Sequence, residues 1–129
     1  MLESAGYLTL PAFDGVQAVD AALRHLPDLI LMDIVMPRMN GFEATRAIAT
    51  NPKSRHIPVI MVSANDQVSD RVWGTRLGAK AFLAKPIAKD LLLARVGSVL
   101  AVARRMQSAA ERVHDDSGFF TTPRSDKPR

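Results

Sequence analysis

Three apolar runs punctuate this chain, and between them apolar residues recur at helical spacing. The runs are Leu29-Ile30-Leu31-Met32, Ile57-Pro58-Val59-Ile60-Met61-Val62 and Ala79-Lys80-Ala81-Phe82-Leu83-Ala84. Short runs without strict alternation, bounded by polar or turn residues, read as strands buried on both faces. Val16, Val19, Ala22, Leu23 and Leu26 fall instead on one face of a helix. The pattern predicts a helix remnant over 1–5, a strand over 7–10 and a helix over 15–26. A strand over 28–33, a helix over 41–50, a strand over 57–63 and a helix over 66–76 follow. The series closes with a strand over 79–84 and a long helix from about residue 88. Alternating strands and helices imply a parallel sheet with right-handed crossovers.

Local chemistry supports several of these boundaries. Gly6 is placed to stop the first helix at its C′ position. Asp14 precedes Gly15-Val16 as an N-cap. Asn40 is an N-cap with Glu43 at the capping-box position. Asn51-Pro52-Lys53-Ser54-Arg55 reads as a polar loop. In the last helix Leu92, Val96, Val99, Ala103, Met106, Ala110 and Val113 form a heptad seam, which permits a helix–helix contact. Packing on the chain's own sheet accounts for Leu92 to Val99 alone. Trp73, in the helix before the third run, reads either as a partner-docking residue or, in slight preference, as a ring covering a neighbouring helix.

The three runs end on chemically distinct side chains: Asp33, Ser63 and Lys85, the last followed by Pro86. A parallel sheet sets such strand ends side by side, where ligands of open α/β sheets gather. Alone, the first run is equally a buried strand ending in an ordinary turn aspartate. Together the three residues suit one task. A carboxylate can accept a phosphoryl group, a hydroxyl can bond its oxygens, and an ammonium can pair with their charge.

At these residues the chain resembles the receiver domain of bacterial two-component response regulators, the CheY-like branch of the flavodoxin-like folds. The resemblance covers roughly residues 1–103. Asp33 matches the phosphoacceptor aspartate, Ser63 the switch hydroxyl, Lys85 the family's lysine and Phe82 the switch aromatic. The segments Met32 to Arg46 and Asp70 to Lys80 resemble PilH-type regulators of twitching motility in particular. The resemblance implies a parallel sheet with flanking helices, in strand order 2-1-3-4-5. It also implies Mg²⁺ held by Asp33, the Val35 backbone carbonyl and two acids at the end of the first strand. A histidine kinase or phosphotransfer protein would be the phosphoryl donor.

This chain departs from that pattern at its start. Residues 1–6 read as the end of the first helix, so the first strand and most of the first helix are expected to be lacking. Glu3 is in the wrong place to stand in for the acid pair. Mg²⁺ binding is therefore expected to be weak or absent, and phosphorylation impaired. In the family's order the missing strand would lie between 7–10 and 28–33. Either strand 7–10 slides in beside 28–33, or a second chain covers the exposed edge. The second repair, a homodimer, is the expectation.

Composition changes this picture little. With 129 residues, 47 % of them hydrophobic, the chain fits one domain with a core. Residues 104–113 read as a helical extension and 114–129 as a disordered tail, in which Phe119-Phe120-Thr121-Thr122 alone has strand propensity. The net charge of +4 comes from scattered residues, which gives no basic stripe and no expectation of nucleic-acid binding. No run approaches a membrane span, no signal peptide is visible, and there is no cysteine. A cytoplasmic protein is the default. His25, His56 and His114 lack metal-ligand spacing. No nucleotide loop, nucleophile–base pair or zinc set suggests an independent enzyme. The alternative to a phosphorylated receiver is a phosphorylation-independent interaction or dimerisation module on the same scaffold.

Overall fold

A computed structural model of the chain describes residues 2–64 and 68–114, with only the backbone described over 107–114. The strand-prone segment from Phe119 to Thr122 and the tail around it, from residue 115 onward, lie outside the described residues. The described elements are a 3-10 turn over Glu3–Ala5, then α1 (Gly15–His25), β1 (Ile30–Asp33), α2 (Gly41–Thr50) and β2 (Val59–Ser63). They continue with α3 (Val68–Leu77), β3 (Ala81–Ala84) and α4 (Lys89–His114). The strands are parallel in the order β1-β2-β3.

The side chains divide the sheet into two apolar faces, as period-two alternation requires. On one face Met32, Val59 and Met61 pack with Ala22 of α1 and Ala44 and Ile48 of α2. On the other, Ile60 and Leu83 pack with Leu92, Val96 and Leu100 of α4. Every β2 residue is buried. Fully burying one such aliphatic side chain contributes about 1.5–3 kcal/mol, so β2 is the centre of the fold.

The capping chemistry acts as the sequence indicates. The Asp14 carboxylate accepts the Gln17 N–H at 2.8 Å and starts α1. Asn40 and Glu43 form a reciprocal capping box at α2, with bonds of 2.9 and 3.0 Å. Gly6 takes φ of 96° and closes the 3-10 turn.

Other expectations are corrected. Residues 7–10 form no strand. Tyr7 packs against the α4-side cluster, while Leu8 and Leu10 are 80 % and 55 % exposed. An isolated extended segment has no ladder to join, and this one does not slide in beside β1, which remains an edge strand among the described residues. The helix remnant is one 3-10 turn. β1 is only partly buried, because one of its edges lacks a neighbouring strand among the described residues. The expected inner face of α1 is narrower too, since Val16 and Leu26 are exposed. Trp73 does not cover a neighbouring helix fully but is 51 % exposed on α3. On the heptad seam, Leu92 and Val96 are buried, Leu100 joins them, and Met106 is 65 % exposed. No described helix is long and apolar enough to cross a membrane.

Candidate functional site

The parallel register brings the three strand ends together. Asp33 lies opposite Val62, and Ser63 lies opposite Ala84. The Lys85 backbone N–H donates to the Ser63 carbonyl at 2.8 Å, tying the ends of β2 and β3. The peptide between Lys85 and Pro86 is cis. From there the Lys85 ammonium donates to Asp33 Oδ2 at 2.7 Å, across 52 residues of sequence. Both side chains are about two-fifths exposed, so the pair opens to solvent at the sheet's carboxyl edge.

The other oxygen, Asp33 Oδ1, accepts the Val35 N–H at 3.3 Å. Val35 itself is almost fully exposed. Ser63 is buried beside this pair. Phe82, half-buried on β3, carries the Arg71 guanidinium 5.4 Å above its ring. His25 and His56 are exposed and isolated from the site.

The loop that follows Asp33 is held from both ends. Gly41 donates its N–H to the Ile34 carbonyl at 2.8 Å. A Cβ on Gly41 would lie 2.2 Å from the Asp33 carbonyl oxygen, so only glycine allows that approach. In mid-loop, Arg38 adopts a left-handed φ of 68°. Its guanidinium reaches Asp14 Oδ2 through Nε at 3.0 Å and through a terminal nitrogen at 2.8 Å. Asp14 is thus both helix cap and anion for Arg38. Its carboxyl is held below its ordinary value first by the Gln17 N–H bond, opposed by burial, and further by Arg38. Arg38 was not among the residues singled out from sequence. The 24 positions between it and Asp14 leave no local signal.

The donor set fits Mg²⁺ poorly. Among the described residues no three His, Asp or Glu side chains converge as a metal site. Asp33 is the one carboxylate among the described residues that closes a strand, and Lys85 already engages one of its oxygens. Mg²⁺ usually takes one or two carboxylates together with waters and substrate phosphates, in near-octahedral geometry.

Comparison with known proteins identifies the family. The response regulator receiver domain profile matches residues 1–97. Protein PilH of Pseudomonas aeruginosa is 46 % identical over 101 residues, covering 78 % of this chain and 84 % of that protein. Among solved structures, a putative response regulator from Chloroflexus aurantiacus superposes with a TM-score of 0.74 at 30 % identity, covering 78 % and 82 % of the two chains. The receiver domain of the sensor histidine kinase PA1611 from Pseudomonas aeruginosa was solved with a magnesium ion coordinated in its active-site cleft. It superposes with a TM-score of 0.65 at 36 % identity, covering 77 % and 78 %.

Proposed function

This chain belongs to the response regulator receiver domain family of two-component signalling, and on that premise we propose that Asp33 is its phosphoacceptor. The observation that carries this reading is the 2.7 Å bond from the Lys85 ammonium to Asp33 Oδ2 at the sheet's carboxyl edge. An Asp33 oxygen attacks the phosphorus of a phosphohistidine on a histidine kinase or phosphotransfer protein. The P–N bond breaks, the imidazole nitrogen keeps the electron pair, and an acyl phosphate forms. Lys85 pairs with the charge on the phosphoryl oxygens, and the Ser63 hydroxyl turns to bond one of them. Phe82 follows inward and alters the surface around α3 and α4, a shift between two populations.

Mg²⁺ binding is weak in this reading, because a single carboxylate is a poor cage for it. Phosphorylation is correspondingly impaired. The test incubates the protein with a phosphorylated histidine donor and with acetyl phosphate, then maps the product by mass spectrometry. Slow labelling at Asp33, abolished in Asp33→Asn, is expected. Labelling elsewhere, or none over a long incubation, refutes the assignment. A titration with Mg²⁺ followed through Trp73 fluorescence should show no saturation below millimolar metal. Tight binding there would overturn the metal reading.

One feature favours an added homodimer reading. Among the described residues β1 is an edge strand, yet Leu29 and Leu31 pack toward one face and Met32 toward the other. Apolar strands at an open edge recruit further strands. A second copy covering β1 satisfies that edge. Sedimentation at micromolar concentration decides it: a monomer at 14.1 kDa rules the dimer out.

A further inference from the structure

We propose that Arg38 and Asp14 are positioning residues for Asp33, acting through the loop between β1 and α2; the proposal rests on the phosphoacceptor reading above. The loop carries Val35, whose N–H holds Asp33 Oδ1 at 3.3 Å. That bond sets the direction of the carboxylate, with the Lys85 ammonium on the other oxygen. The loop must hold Val35 in place although its side chain is almost fully exposed and gives the segment no apolar anchor.

Ile34, Met36 and Met39 pack against the core on either side of Val35, and α1 adds a directional polar tie at Arg38. Arg38 contributes two nitrogens to one oxygen of Asp14, at 2.8 and 3.0 Å. The Asp14 side chain is only 11 % exposed, and its other oxygen is fixed by the Gln17 N–H. The anion is therefore held by the helix before Arg38 arrives. The next residue, Gly15, lies so close to the Met39 carbonyl that a Cβ there would be 2.0 Å from its oxygen. Two consecutive residues of α1's start thus grip two consecutive residues of the loop. Arg38 also holds a left-handed φ of 68°, which a side chain rarely adopts without a compensating contact. Its bonds to Asp14 supply that contact. A pair serving only the fold would not need to meet in the loop that orients the phosphoacceptor.

Three variants separate positioning from mere support. Arg38→Gly accepts the backbone angle and removes the tie. Asp14→Asn keeps a capping oxygen for Gln17 and removes the charge. Arg38→Lys restores a cation without the fork. The first readout is the Val35 amide and Asp33 carboxyl resonances by NMR, with thermal midpoints recorded alongside. Both resonances should move in Arg38→Gly and Asp14→Asn and return part-way in Arg38→Lys. The second is the acetyl phosphate labelling rate at Asp33. Its maximum should fall about tenfold in the first two variants, with the donor dependence unchanged, as for a misplaced reacting group. Unmoved Val35 and Asp33 resonances in Arg38→Gly overturn the proposal, whatever the midpoints do. Should the wild-type protein label nowhere, the phosphoacceptor reading fails, and the resonances still decide whether the clamp orients Asp33.

Discussion

The Lys85 ammonium and the Asp33 carboxylate meet at 2.7 Å, although 52 residues of sequence separate them. Parallel pairing of β1 with β2 and of β2 with β3 creates the meeting, and each partner remains well exposed. An exposed ion pair contributes about 0–1 kcal/mol, so its importance is not to stability. Lys85→Ala should leave the thermal midpoint close to wild type while lowering whatever binding of a phosphoryl analogue such as beryllofluoride the wild type retains. Parallel calorimetry and analogue titration check this, and a large loss of stability with binding retained would contradict it.

Gly41→Ala should be severe for its size. The new methyl would meet the Asp33 carbonyl oxygen at 2.2 Å and the Ile34 Cα at 2.8 Å, both backbone atoms that cannot rotate aside. Overpacking of this kind costs about 1–3 kcal/mol. The same shift should displace Asp33 from Lys85. Denaturant unfolding measures the first effect and a crystal structure of the variant the second.

Thr45 supplies the opposite case. It is fully buried on α2, and its Oγ1 has no hydrogen-bond partner. Replacing an orphaned buried hydroxyl with a methyl of the same shape removes a desolvation cost. Thr45→Val should raise stability by about 1 kcal/mol, read from the denaturation midpoint at constant slope.

Asp14 gives the acid limb a definite sign. Its carboxyl titrates below the ordinary 3.8, chiefly because the Gln17 N–H bonds the ionised form, against burial and with help from Arg38. The folded state therefore binds fewer protons than the unfolded state in that region. The contribution is fully present well above pH 3.8 and is lost as pH falls through that value toward the lowered folded one. In Asp14→Asn the thermal midpoint should fall less steeply on acidification across this window. Parallel slopes for the two proteins would refute the assignment.

Local chemistry made much of the fold legible. Asn40 and Glu43 mark the start of α2 because a capping box is written within four residues. The buried runs mark β2 and β3 because apolar length and bounding polar residues suffice there. Residues 7–10 misled for the converse reason. Tyr7-Leu8-Thr9-Leu10 has strand composition, but a strand exists only with a partner, and pairing is settled elsewhere in the chain. In the site, Asp33, Ser63 and Lys85 were legible because each closes an apolar run. The Asp14–Arg38 tie was not, since nothing near either residue announces the other. Val16 and Leu26 have the right spacing for the inner face of α1, yet the ends of that helix overhang its neighbours.

The length of α4 has a mechanical consequence. Its early turns are bound to the sheet through Leu92, Val96 and Leu100, and the backbone stays helical to His114. At about 1.5 Å per residue the whole element spans about 39 Å, of which about 21 Å lies past Leu100. Lys85 stands four residues before its first turn. The helix is a lever whose short arm is gripped next to the strand ends. A tilt of about 5° at its root would sweep the far end through about 3 Å, amplifying a displacement too small to matter at Lys85 itself.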